Sequence, residues 1–255
     1  MPNFETLREA LPLDDGTIAD LDPATRCLVA RQWEDRASAE VRTAAAFAKV
    51  SFELLGCGAS PGVLEIAARA VSDELGHAEV CRLAASAYYG RPARWPAAGI
   101  APLPRHPDVP RRLRPTLRLV GMCCLSETIA VAWLEASLTD ARSGLARSAI
   151  KVLLADDVRH ARLGWMHLAS MKAEPHLATI ISRHLVPLFD AVLRPWLRTA
   201  AESFAPGVPE HGVPSAATTE RVVLEAVNDV ILPGFDHLEF DTGPVREWLS
   251  RRGQA

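Results

Sequence analysis

The stretch RPARWPAAGIAPLPRHPDVPRRLRP, residues 91–115, holds seven prolines and six arginines. Each proline removes a backbone donor and collides with the preceding helical turn, so no regular helix passes through it. Other breakers also cluster, as in GCGASPG at 56–62 and in the Pro- and Gly-rich segment 205–217. The runs between them are dominated by Ala, Leu, Arg and Glu, which favour helix, and β-branched runs are short. The spacing predicts helices over about 23–55, from Ser60-Pro61 to about Tyr89, and over 116–140, 143–172, 175–203 and 218–232, with a short one over 243–252. Asp22 and Pro23 form a start signal for the first, with an N-cap followed by proline at the first helical position. Pro187 and Pro195 are expected to kink the fifth.

The order is two long helices, a long connection, two long helices, then additions. That is an all-α chain built as an up-down four-helix bundle with a long crossover between its second and third helices. The bundle core covers about 23–172, and a helical extension over 174–255 packs outside it or covers one end. At 255 residues and 49% hydrophobic, the chain is long enough for one substantial core and reads as a single domain, 1–255.

Each bundle helix carries an apolar stripe at alternating steps of three and four. The first reads Trp33, Ala37, Glu40, Ala44, Phe47, Ser51, Leu54, and the second Val63, Ala67, Ala70, Glu74, His77, Cys81, Ala84, Tyr88. The third reads Leu117, Val120, Cys124, Glu127, Val131, Leu134, Leu138, and the fourth Ala146, Ala149, Leu153, Asp157, His160, Gly164, His167. One carboxylate stands near the middle of every stripe. The second and fourth stripes add a histidine three residues later.

Four unpaired carboxylates in a dry core are prohibitively costly. The stripes hold no arginine or lysine to pair with them, which weighs against a set of coincidental core salt bridges. A dinuclear metal centre accounts for all of them: two divalent ions offset the four carboxylates, and two neutral imidazoles complete the set. The expected ligands are Glu40, Glu74, His77, Glu127, Asp157 and His160. Glu74/His77 and Asp157/His160 are i, i+3 pairs, each suited to one metal. Asp73 and Asp156 precede each histidine by four residues and are expected to accept from the imidazole N–H groups.

These six residues resemble the ligand set of the ferritin-like di-iron carboxylate superfamily. The spacing, a Glu followed about thirty residues on by an acidic pair and x-x-His, twice, looks most like the p-aminobenzoate N-oxygenase type. It is also similar to aldehyde-deformylating oxygenases and to small bacterial ferritin-like proteins. The resemblance covers about 30–172. It departs at Asp157, where the family has Glu. Asp156 is a possible substitute, although it lies about 100° off the stripe. The N-oxygenase type carries an additional histidine ligand, for which His167 and His184 are candidates. Each reads more readily as a core or pocket histidine. Cys81, one turn after His77, stands where radical-forming members have Tyr; its plainer reading is a small buried filler.

The resemblance implies a non-haem di-iron oxidoreductase that uses O2 to hydroxylate, N-oxygenate or desaturate a small organic substrate, in the setting of specialised metabolism. Two Fe ions are the expected cofactor, with Mn/Fe as a variant. No flavin, NAD or iron–sulfur motif is present, so an external reductase or ferredoxin is the expected electron donor. The alternatives are a ferroxidase or iron-handling protein, and a non-redox metal-binding member. Net charge is −3, which gives no reason to expect nucleic acid or a membrane as partner. The five cysteines, Cys27, Cys57, Cys81, Cys123 and Cys124, show no zinc or redox spacing. With no apolar core in the N-terminal MPNFETLREALPLDDG and no apparent membrane span, a cytoplasmic monomer or homodimer is expected. Only three of the 28 basic residues are lysine, and with abundant alanine this suggests a GC-rich bacterial coding sequence.

Overall fold

The computed structural model describes residues 4–97, 103–172, 174, 176–202 and 206–252. The predicted limits of the fifth helix, 175 and 203, lie outside the described residues, as do 98–102 of the Pro-rich connection. The described chain is all-helical, and its only β feature is an isolated bridge between Val208 and Val213.

The described residues form eight helices: α1 (Phe4–Ala10), α2 (Pro23–Gly56), α3 (Pro61–Tyr89), α4 (114–140), α5 (Gly144–Ser170), α6 (Leu177–Glu202), α7 (216–237) and α8 (Gly243–Arg252). The capping chemistry sets their starts. Asp22 accepts from the backbone N–H groups of Ala24 and Thr25 at the head of α2. Ser143 and Ser215 do the same for α5 and α7. Gly90, left-handed at φ 65°, ends α3.

Three features depart from the sequence expectation. First, α1 is not among the predicted helices, although Pro2 and Pro12 frame it in the sequence; it lies on α3, where a Cβ on Gly76 would stand 3.5 Å from Leu7 Cδ1. Second, α4 and α7 each contain a π-helical stretch, Val120–Glu127 and Val227–Ile231. The second of these lets α7 run past Pro233 to His237, beyond the predicted end near 232, because the wider turn absorbs a missing backbone donor. Third, Arg111–Asp140 is long and apolar enough by composition to cross a membrane, with a mean hydropathy of 1.5 over its most apolar window. This corrects the expectation that no stretch reaches that threshold, although 61% of the window is buried within the protein.

α2 packs along α3, α5 packs on both α3 and α4, and α6 and α7 cover α4 from outside. One apolar cluster contains Trp33, Ala37, Val80, Leu134 and Leu153. Another contains Phe47, Ala70, Cys123 and Leu163. On each of α2, α3, α4 and α5 the chain passes from one cluster to the other through a carboxylate: Glu40, Glu74, Glu127 and Asp157. The four acids therefore form a polar layer between two dry ones.

Asp15 ties the connection between α1 and α2 to the head of α5. Its carboxylate accepts from the Leu145 N–H at 3.0 Å, Ser143 Oγ at 2.7 Å and Thr17 Oγ1 at 2.7 Å. Burial alone would raise its pKa, but the bonds from Leu145, Ser143 and Thr17 outweigh it and hold the group at about 2, against 3.8. A folded value below the unfolded one adds stability that is complete above about pH 4 and vanishes as pH falls through 2. Asp15→Ala is expected to cost about 1 kcal/mol at pH 7, after allowance for solvent screening. Urea melts across pH 2 to 7 check this, since the gap between wild type and variant must close on the acid side.

Candidate metal centre

The polar layer brings all six stripe residues into two overlapping groups. Glu74, Glu127, Asp157 and His160 offer ligand atoms that lie within 4.8 Å of one another, and so do Glu40, Glu74 and His77. Glu74 belongs to both. The two groups do not follow the sequence pairing of one i, i+3 motif with each metal: Glu74 falls in both, and Asp157 only in that of Glu127 and His160. The shorter Asp157 side chain still reaches across, with Oδ1 3.5 Å from His77 Nδ1 and 3.4 Å from His160 Nδ1.

Both histidines turn Nδ1 inward. His160 Nδ1 is 2.9 Å from Glu74 Oε1, and His77 Nδ1 is 3.7 Å from Glu74 Oε2. Their Nε2 atoms point outward to aspartates of the opposite motif. His77 Nε2 meets Asp156 Oδ2 at 3.3 Å, and His160 Nε2 meets Asp73 Oδ2 at 3.5 Å. The crossing follows from antiparallel helices. From 73 to 77 on α3 the facing residue retreats from 160 to 156 on α5. Arg159 pairs with Asp156 and lies 3.8 Å from Asp73, while Arg69 lies 3.5 Å from Asp73. Asp156 is therefore an outer partner and not a substitute ligand. Loss of an outer carboxylate typically lowers metal affinity by about 10–100-fold. Asp156→Asn is expected to weaken the position served by His77, and Asp73→Asn that served by His160. Separate chelator titrations of the two variants measure this.

Five inward atoms are buried without a hydrogen-bond partner: both Glu74 oxygens, His77 Nδ1, His160 Nδ1 and Asp157 Oδ1. Orphans of this kind are rare and costly unless something else satisfies them. They are also hard and borderline donors of the type that binds divalent first-row metals, so the residues present fit a metal pair.

The charges within the cage also set the proton affinities of its members. Burial disfavours charge on His77 and His160, yet the carboxylates prevail. Glu74 and Asp157 push His77 up to about 9, and Asp157, Asp73 and Glu74 push His160 up to about 12. Burial, reinforced by the charge of Glu74, raises Glu40 and Glu127 well above the carboxylate range. Burial of Glu74 itself is outweighed by His160 and His77, which hold it low. Metal binding must displace these protons.

Three other sequence candidates stand apart from the cage. His167 Nε2 meets Thr116 Oγ1 at 2.9 Å, and burial lowers its pKa to about 4. His184 bridges the Ile180 carbonyl and Asp108 at 2.8 and 3.0 Å. Neither joins a ligand group. Cys81 is fully buried, and burial, aided by Glu40, drives its thiol pKa well upward. Arg36 went unnoticed in the sequence because it precedes the stripe residue Ala37 by one. It lies within electrostatic reach of Glu40 and Cys81, so a cation does stand beside the acidic layer. The signal available was the spacing Trp33, Arg36, Glu40, one helical turn at a time.

No protein-family model, no curated protein and no solved structure matches this chain.

Proposed function

We propose that the chain is a non-haem di-iron oxidase or oxygenase built on a ferritin-like four-helix bundle, acting on a small organic substrate. The observation that carries this reading is Glu74, fully buried, facing both His77 and His160 with neither oxygen in a well-formed hydrogen bond, and common to two ligand groups. A carboxylate so placed is suited to bridge two cations. Two iron ions, when bound, supply the open coordination positions and the electrons with which O2 is reduced and a substrate oxidised.

The protein's own part follows from its residues. Glu40, Glu74 and His77 hold one position. Glu74, Glu127, Asp157 and His160 hold the other. Asp156 and Asp73 fix the imidazole orientations. Phe47, with its ring 5.2 Å from that of His160, and Leu163 and Leu153 above and below keep water from the layer. Glu40 alone among the six ligands is partly exposed, which leaves the α2 side as the approach. The added helices α6 and α7 on the outside of α4 favour an enclosed reaction site over an iron-storage shell. Electrons come from an external reductase or ferredoxin.

Anaerobic loading with Fe(II) tests the reading. About two irons per chain, O2 uptake dependent on added reductant, and a monomer or dimer on size exclusion are expected. A single bound metal, or a large hollow assembly that stores iron, would rule it out.

A further inference from the structure

Arg36 brings a fixed positive charge to one side of a cage that otherwise holds only carboxylates and imidazoles. Its guanidinium is clamped between two indoles, 4.2 Å from the Trp33 ring centroid and 4.5 Å from that of Trp133. Nη2 donates to the Gly212 carbonyl at 3.1 Å. That carbonyl comes from the turn over 206–215, which packs so close that a Cβ on Gly212 would stand 3.1 Å from Trp33. Trp33 in turn donates to the His211 carbonyl at 3.3 Å. The clamp is thus built from α2, α4 and a loop of the C-terminal extension.

The clamp holds the guanidinium but supplies no negative charge. Nη1 is buried and has no hydrogen-bond partner. Among the described residues Arg36 forms no ion pair with any carboxylate. Of the six ligands, Glu40 is the one within its electrostatic reach. The two are one turn apart on α2, roughly 6 Å along the axis. The cation therefore stands on the side of the cage that is already poorer in charge. Glu74, Glu127, Asp157 and His160 offer three carboxylates to one position, whereas Glu40, Glu74 and His77 offer two to the other, one of them shared. One divalent ion and Arg36 together leave the four carboxylates with a single negative charge in excess. A second divalent ion overshoots by one positive charge, and an unbalanced charge in a dry layer is costly.

We infer that Arg36 is a fixed countercharge that divides the cage into a tight and a labile metal position: the Glu74, Glu127, Asp157 and His160 position fills first, and the one served by Glu40 and His77 fills second and exchanges its metal. Away from bulk water, a unit charge this close to a divalent ion weakens its binding by at least about tenfold. The rings and the Gly212 carbonyl keep the guanidinium from turning away when that ion arrives. The inference rests on the metal-pair part of the reading above and is independent of the oxidation chemistry.

Co(II) is the probe, titrated into the metal-free protein and followed by its visible absorption and by calorimetry. Arg36→Met keeps an unbranched stem between the rings and removes the charge, whereas Arg36→Lys keeps the charge. Glu40→Gln and Glu127→Gln assign the steps. Wild type is expected to bind two cobalt ions in two resolved steps, with the weaker lost in Glu40→Gln and the tighter in Glu127→Gln. Arg36→Met should tighten the weaker step by at least about tenfold and leave the tighter one unchanged, and Arg36→Lys should behave as wild type. A clamp with a purely structural role would instead weaken binding in Arg36→Met. That result overturns the inference, as do an unchanged weaker step, a single unresolved step in wild type, or loss of the tighter step in Glu40→Gln. Arg36→Gln gives the same comparison if Arg36→Met does not fold. A wild type that binds no cobalt removes the metal pair itself, whereas two ions bound without response to Arg36 leave the pair standing and remove only the countercharge.

Discussion

Glu74→Gln is expected to strip the protein of both metals, whereas Glu40→Gln and Glu127→Gln each remove one. The difference follows from membership of the ligand groups. Glu40 contributes to one and Glu127 to the other, but Glu74 contributes to both. Glutamine keeps the volume and one carbonyl oxygen, so the fold is retained. It loses the negative charge and the second equivalent oxygen, and a neutral amide does not bridge two cations. Removal of an outer-sphere partner alone costs up to about 100-fold in affinity, so loss of a shared inner ligand is expected to cost at least ~100-fold at each position. Glu74 also raises the pKa of both imidazoles, so its removal makes them easier to deprotonate. That gain works in favour of metal binding but is small beside the lost bridge. Competition against a chromophoric chelator, with iron counted per chain, decides the matter. If Glu74→Gln keeps one metal at wild-type affinity, the two positions do not share it.

The parts of the molecule legible in the sequence are those set by a single helix. Breakers placed the ends of α2, α3 and α5 within a few residues, because Asp22, Pro23, Pro61 and Gly90 act locally on the backbone. Glu40, Glu74, His77, Glu127, Asp157 and His160 stood out because each interrupts an apolar stripe at helical spacing. What escaped depends on two or more elements meeting. The exchange of outer aspartates, Asp156 to His77 and Asp73 to His160, requires the register of α3 against α5. The membership of Glu74 in both groups requires the rotation of all four helices. Arg36 sits one residue off its stripe, and only the approach of Trp133 from α4 turns that position inward. The π-turns left no composition signal, and α1 carries only one buried side chain, Leu7, to betray its packing.

Gly164→Ala is expected to destabilise the protein by about 3 kcal/mol, against the helical preference for alanine. On an open helix the same change gains up to ~1 kcal/mol. At Gly164 a Cβ would stand 2.6 Å from Cys124 Sγ, 2.8 Å from Cys123 Cβ and 2.9 Å from the Cys124 backbone N. A thiol can rotate, but a Cβ and a backbone nitrogen cannot, so α4 and α5 must part. Overpacking of this kind costs about 1–3 kcal/mol, and the backbone contact places it at the upper end. Gly62→Ala on α3, where nothing lies within 4 Å of the added carbon, is the control and should be neutral or stabilising. The consequence reaches the metal layer, because Gly164 follows His160 by one turn and Cys123 and Cys124 precede Glu127 by one. Separation of the helices at that point draws Glu127 away from His160. Gly164→Ala should therefore lose the metal position served by Glu127 and His160 while keeping the one served by Glu40 and His77. Chemical denaturation of the metal-free protein and iron stoichiometry of the loaded protein read the two effects independently. A variant as stable as wild type would mean that α5 does not press on the π-helical stretch of α4. A variant that is destabilised but binds two irons would mean that the stretch yields without moving Glu127, and that the extra room of the π-turn serves to absorb such strain.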